Sequence, residues 1–283
     1  MTEPMSAFPD GLERVAVNGV ELHYLIAGEG DPVVLVHGGG DDLRYWEAQM
    51  PALTERYRVL TYSRRHSAPN DNPIVSSSHS AREEADDLGK LVDALGLDRF
   101  HLVGHSYGAF TALVFAVELP TLPRTLTLCE PPVLSWAVEL PDGEEIVRDF
   151  TTKIWKPAAA AFRRQDPDAM QVLLDGIIGD GFFAALPEEM RVRILGNARD
   201  MEALCTSADP FPPVSLDAVR ELDVPALLLT GERTTPINTI GLRVLERLLP
   251  RREVRVIPEA SHEVFVENPS ASTRELLAFL SAH

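Results

Sequence analysis

Two short glycine-flanked stretches carry residues whose types and spacing suit acyl-transfer chemistry. The first, "LVGHSYGA" at residues 102–109, has the form Gly-x-Ser-x-Gly, after a continuous apolar run and before a helical pattern. A chain that turns from strand to helix within so few residues forces the central residue into a strained conformation. Gly104 and Gly108 remove side chains that would clash across such a turn. Ser106 then projects from the sheet edge at a helix N-terminus, where the helix dipole and free backbone N–H groups favour developing negative charge. That makes Ser106 a candidate nucleophile. The second stretch, "VHGGGDD" at 36–42, closes another apolar run. A tetrahedral oxyanion needs two preorganised donors, and glycine N–H groups allow close approach. The amides of Gly39 and of Tyr107, the residue after Ser106, form the natural pair, with Gly40 the second choice for the first donor. A phosphate cradle fits less well, because no Lys-Ser/Thr follows the glycines and the dinucleotide spacing is absent. His37 reads as structural, its ring tying down the loop.

Positioning these stretches needs strands that end together. "RVAVNGVELHYLIAGEG" (14–30) alternates around Asn18-Gly19, the signature of a hairpin of two half-exposed strands. Continuous apolar runs, as expected of strands buried on both faces, occur at 32–40, 58–63, 100–106, 125–130, 225–231 and 253–258. Helical patterns lie between most of them, at 82–96, 107–119 and 239–250, and a last one spans 269–283. This alternation predicts an α/β fold, a mainly parallel sheet with helices on both faces. Residues 131–213 break it. They are helical in pattern, rich in aromatics (Trp136, Trp155, Phe162, Phe182, Phe183, Phe211) and far longer than one crossover needs. They read as a helical cap inserted between the sixth and seventh strands of a core made of residues 1–130 and 214–283.

The hairpin, "HGGG", "GHSYG", the cap and a late histidine together resemble the α/β-hydrolase family over essentially the whole chain. The resemblance implies a mostly parallel eight-stranded sheet flanked by helices. It also implies a general base near the C-terminus, and His262 in "IPEASHEVFVENP" matches the family's base-bearing loop. His23, His66, His79 and His101 lack a catalytic context, His283 is terminal, and His105 reads as packing. The family's acid commonly follows the seventh strand, but "TGERTTP" places Thr234 there, which cannot supply a negative charge. Some branches place the acid after the sixth strand. Glu130 in "TLTLCEPPVL" resembles that arrangement, found in haloalkane dehalogenases with a glutamate acid and in lactonases with a Ser-His-Glu triad. Glu232 is the alternative acid. The loop "YSRRHSAPNDNP" departs from the family's glycine-rich pattern, and its Arg64 and Arg65 read as ion-pair formers rather than binders of a ligand carboxylate.

Composition sets the remaining bounds. The chain has 283 residues, 45% hydrophobic and 24% charged, enough for one large domain with an insertion. A formal net charge of −17 disfavours nucleic acid and anionic membrane as partners. Cys129 and Cys205 lack metal-ligand spacing and read as buried thiols. No signal-peptide pattern or membrane-length apolar run is visible, so the expectation is a soluble cytoplasmic protein. The resemblance implies a serine hydrolase of a hydrophobic carboxylic ester or lactone, with no metal or organic cofactor. Serine rather than aspartate at position 106 argues against a dehalogenase or epoxide hydrolase. Carbon–carbon bond hydrolysis or perhydrolysis could use the same triad. A weakly catalytic binding protein on the same scaffold is the rival from another class.

Overall fold

The computed structural model describes residues 8–75 and 77–283. Eight strands form one sheet: β1 (Glu13–Val17), β2 (Val20–Ala27), β3 (Asp31–Val36), β4 (Tyr57–Tyr62), β5 (Phe100–His105), β6 (Pro123–Cys129), β7 (Ala226–Gly231) and β8 (Arg252–Ile257). Their order is β1-β2-β4-β3-β5-β6-β7-β8. Only the first two pairings, β1 with β2 and β2 with β4, are antiparallel; the rest are parallel. The β1–β2 hairpin turns at Asn18 and Gly19, both with positive φ (48° and 78°), as a tight two-residue turn requires.

The continuous apolar runs are explained by burial on both faces. Val34, Val36, Leu102, Leu126 and Leu128 join one core, with side chains of the helices Ala81–Ala94, Tyr107–Glu118 and Pro236–Leu248. Their neighbours Val33, Leu35, Val103 and Cys129 face the opposite way, into a core with Trp46, Phe265, Leu276 and Phe279. Side chains alternate across a strand, so a sheet covered on both sides needs apolar residues at every position. β8 differs from the expectation of a doubly buried strand. It pairs only with β7, and its Arg252, Arg255 and Val256 are exposed. An edge strand keeps one flank open to solvent, which the short apolar run alone did not reveal.

Between β6 and β7 the described residues hold helices and no strand, among them Gly143–Phe150, Lys156–Arg163, Ala169–Ile178, Glu188–Gly196 and Ala198–Thr206. The start of this segment is tied to its end, because the buried Trp136 indole donates to the Val214 carbonyl (2.9 Å). Ala158, Phe162, Leu173 and Leu204 continue the first core beyond the strand ends. The helices thus lie over the C-terminal ends of the parallel strands, where ligand sites of open α/β sheets form.

Candidate active site

Ser106 sits between β5 and the helix Tyr107–Glu118 at φ 51°, ψ −122°, a strained conformation for a residue with a side chain. Its N–H donates to the Cys129 carbonyl at 2.8 Å, pinning the turn to β6. A Cβ at Gly104 would lie 2.6 Å from Ala109 Cα, and one at Gly108 would lie 2.3 Å from the His37 carbonyl oxygen. Only glycine lets the helix start this close to β3 and β5.

Two residues from distant parts of the chain meet beside Ser106. Nε2 of His262 lies 2.9 Å from Ser106 Oγ, and Nδ1 lies 2.5 Å from Glu130 Oε2. Glu130 follows β6 with φ 49°, a second strained residue at a strand end, and is fully buried. A buried carboxylate is costly without partners. Besides His262, Glu130 accepts from the hydroxyls of Thr230 (2.7 Å) and Thr234 (2.8 Å) and from the Gly231 amide (3.0 Å). The loop after β7, expected as a vacated acid site, therefore serves the carboxylate that stands elsewhere. Glu232 is not brought to His262; its carboxylate accepts the Glu259 amide at 2.9 Å on the exposed side of the loop. Burial by itself lowers the His262 pKa, but the hydrogen bond and charge of Glu130 outweigh it, and the net shift is upward.

Gly39 and Tyr107 both line the cavity above Ser106, and no acceptor for their amides is found among the described residues. Gly40 is excluded as a donor to a ligand, because its N–H is held by the Asp200 carboxylate at 2.9 Å. Asp200, on the helix Ala198–Thr206, carries no sequence signal that marks it for this place. It is fully buried and pairs with Arg64 at 2.5 Å. Arg64 in turn pairs with Glu84 (2.6 Å) and donates to the Gly38 carbonyl (3.1 Å). His37 closes the loop: Nε2 accepts the Arg64 amide at 3.0 Å and Nδ1 donates to the Gly38 carbonyl at 2.8 Å. Burial lowers its pKa to about 3, keeping the ring neutral and one nitrogen free to accept. Arg65 pairs with Asp87 at 2.6 Å, so both arginines are ion-paired. His79, Glu84 and Asp200 lie close enough to suggest a metal cage, but the Arg64 guanidinium already bridges the two carboxylates.

His105 does more than fill space. Its ring stacks on Tyr45 (centroids 4.8 Å apart), and Nε2 donates to the His262 backbone carbonyl at 2.9 Å, bracing the loop that carries that histidine. His23 bonds Asn70, His66 packs on His79, and His101 bonds Thr125, all away from Ser106. The two cysteines are buried free thiols.

A cavity opens over Ser106 and His262. Leu134, Phe150, Trp155, Leu174, Met201 and Phe211, from the segment between β6 and β7, supply much of its apolar wall. No lysine or arginine among the described residues lines it. Tyr45, Asn238 and Glu263 are its other polar side chains of note; they lie on three separate elements and belong to no motif.

The sheet order and the strained serine at a strand-to-helix turn define an α/β hydrolase. The chain belongs to the alpha/beta hydrolase fold family, which it matches over residues 31–269. It is 33% identical over 117 residues to a soluble epoxide hydrolase from Corynebacterium sp. (strain C12), covering 41% of this chain and 40% of that protein. The chain thus spans less than half of that relative. A match over nearly full length, 26% identical with 92% and 96% of the chains covered, is to a putative 2-succinyl-6-hydroxy-2,4-cyclohexadiene-1-carboxylate synthase from Bacillus subtilis (strain 168). Among solved structures, a thermophilic esterase from Thermogutta terrifontis superposes with a TM-score of 0.76 at 25% identity, covering 95% and 98% of the two chains. The enol-lactonase from Burkholderia xenovorans LB400 gives 0.76 at 23% identity over 95% and 100%, a likeness of fold. No helix among the described residues is long and apolar enough to cross a membrane.

Proposed function

We propose that the protein cleaves a carboxylic ester or lactone of a hydrophobic small molecule through an acyl-enzyme. The observation that carries this reading is the relay Ser106–His262–Glu130, with contacts of 2.9 and 2.5 Å, set under an apolar cavity beside two unengaged amides. In the acylation step His262 Nε2 takes the Ser106 proton as Oγ attacks the carbonyl carbon. The Gly39 and Tyr107 amides hold the resulting oxyanion. His262 then gives that proton to the departing oxygen as the ester bond breaks. Water repeats the sequence on the acyl-enzyme: His262 removes its proton, the carboxylic acid leaves, and the proton returns to Oγ. Glu130 holds the Nδ1–H tautomer and stabilises the imidazolium. Residues 131–213 act as a cap that shapes the cavity over a core of residues 1–130 and 214–283. The likeness to the thermophilic esterase supports the bond class.

The test is labelling with a fluorophosphonate and turnover of a neutral activated ester. Wild type should be labelled at Ser106. Ser106→Ala should stay folded, lose the label and lose several orders of magnitude in kcat, since such residues act as a unit. Near-normal turnover by Ser106→Ala would remove Ser106 from the mechanism, and an unlabelled wild type would favour a binding protein.

A further inference from the structure

The cavity over Ser106 has a polar corner that the relay does not use. Glu263 follows the proposed base directly, and one of its carboxylate oxygens, a His262 ring nitrogen and a His105 ring nitrogen lie within 4.8 Å of one another. The same residue borders a second lobe, walled by Leu174, Ile178, Phe182, Leu186, Met190 and Ile194. Glu263 therefore stands where the two lobes meet. Tyr45 lines the same corner; it is 3% exposed, and its hydroxyl is fully enclosed. Burial raises the Tyr45 pKa, and the charge and hydrogen-bonding reach of the adjacent Glu263 carboxyl raise it further. A carboxylate offers about four acceptor sites, of which the Tyr45 hydroxyl can fill only one, so Glu263 keeps acceptor capacity for a ligand in the cavity that it lines. The two other carboxylates here are already engaged, Asp41 by Arg193 at 2.8 Å and Glu267 by the Ser261 hydroxyl at 2.9 Å. No lysine or arginine among the described residues lines either lobe.

The position also fixes which half of a substrate would meet this corner. His262 must pass its proton to the departing oxygen, so the leaving group lies against the loop that carries His262 and Glu263. Resting on the ester-hydrolase reading above, we infer that Glu263, with Tyr45 beside it, is a specificity residue for an uncharged or cationic alcohol. That alcohol would carry a hydrogen-bond donor, a hydroxyl or a protonated amine, about two carbons from the scissile oxygen. An anionic leaving group would be repelled by the same corner. Burial pushes the Glu263 pKa up to about 7, with the His262 charge opposing, so the carboxyl can accept from either donor and gains attraction for the amine as pH rises.

Two pairs of hexanoate esters test this and separate the donors. 2-Hydroxyethyl hexanoate is compared with propyl hexanoate, and 2-(dimethylamino)ethyl hexanoate with 3-methylbutyl hexanoate, each pair nearly equal in shape. Wild type should prefer the donor-bearing member of at least one pair by roughly tenfold or more in kcat/KM, the range for a hydrogen bond to a charged group. Glu263→Leu should bring every ratio to within about twofold of unity, whatever its absolute rate. Glu263→Gln keeps an acceptor but no charge, so it should retain part of a hydroxyl preference and lose an amine preference. Equal turnover within both pairs by wild type, or a preference that survives in Glu263→Leu, overturns the inference. Fluorophosphonate labelling distinguishes the two levels: labelled enzyme that hydrolyses both members equally sinks only this specificity. Enzyme neither labelled nor active on any ester sinks the hydrolase reading and this inference with it.

Discussion

The hydroxyl of Thr234 donates a 2.8 Å hydrogen bond to Oε2 of Glu130, the same oxygen that meets His262 Nδ1. Thr234 occupies the loop after β7 where the resemblance leads one to look for an acid. The Glu130 carboxylate stands instead one strand over, after β6, and the end of β7 with the loop after it contributes three donors to it. Glu130→Gln keeps shape and removes charge, so kcat should fall by roughly 10²–10⁴. Glu232→Gln should cost roughly tenfold or less, since an exposed charge is screened. Thr234→Val removes one neutral donor and should cost about fivefold. Steady-state kinetics at one pH, with folding checked by circular dichroism, compares the three. A crippled Glu232→Gln beside an active Glu130→Gln would return the acid to the loop after β7.

The pH profile should follow the His262 environment. His262 faces Glu130 on one side and Ser106 on the other, with Glu263, Glu267 and His105 nearby. Burial alone would lower its pKa, but Glu130 outweighs burial and the net shift is upward from 6.5. A base works when neutral, so the acid limb of kcat/KM should have its midpoint above that value. Glu130→Gln leaves burial unopposed by that charge, and the limb of its residual activity should move to lower pH. Glu263, near 7, titrates in the same window, so both enzymes are best compared with Glu263→Gln also in place. The stability linkage has the matching sign. A raised histidine pKa contributes stability at pH below the unfolded value, and that contribution is lost as pH rises through the folded one. A limb that Glu130→Gln leaves unmoved would mean that the carboxylate does not set the base.

Asp200 holds the Gly40 amide and Arg64 together, and Arg64 holds the Gly38 carbonyl. Asp200→Asn should loosen the loop that presents the Gly39 amide. We expect kcat to fall roughly tenfold with KM little changed, short of the ~10²–10³ lost when an oxyanion donor itself is removed. Asp200→Ala, which leaves Arg64 short of a buried partner, should also lower stability by about 3–5 kcal/mol. A rise in KM alone would assign Asp200 to substrate binding, and a stability change with intact kcat would leave it a purely structural residue.

Trp155 ends a π-helical turn over Thr151–Trp155 and packs on Phe211 with ring centroids 4.9 Å apart, both rings facing the cavity. Trp155→Ala should reorder the ranking of long against short acyl esters by roughly tenfold or more, since each methylene in such a pocket is worth about 1–3 kcal/mol. Thermal unfolding of the same variant supplies the control. A large drop in Tm with the ranking untouched would make the segment after β6 part of the core rather than a cap.

The sequence by itself determined whatever depends on neighbours along the chain. Glycines at 104 and 108 around Ser106 announce a strand-to-helix turn, because backbone atoms of Ala109 and His37 leave no room for a side chain. Apolar residues at successive positions of β3, β5 and β6 announce a sheet covered on both faces. The hairpin at Asn18-Gly19 and the helical stretch without strands after β6 were readable for the same local reasons. Resemblance, rather than local pattern, pointed to His262 and Glu130. Tertiary structure decided what depends on through-space partners. It put His262 and Glu130 in contact across 132 positions of sequence, turned Thr230 and Thr234 into donors for that carboxylate, and set Asp200 against Gly40 across 160. It also left β8 at an open edge and brought Tyr45 to Glu263. Hydrogen bonds and ion pairs act over a few ångströms with no regard to sequence distance, so a single chain read in order shows the candidates but not which of them meet.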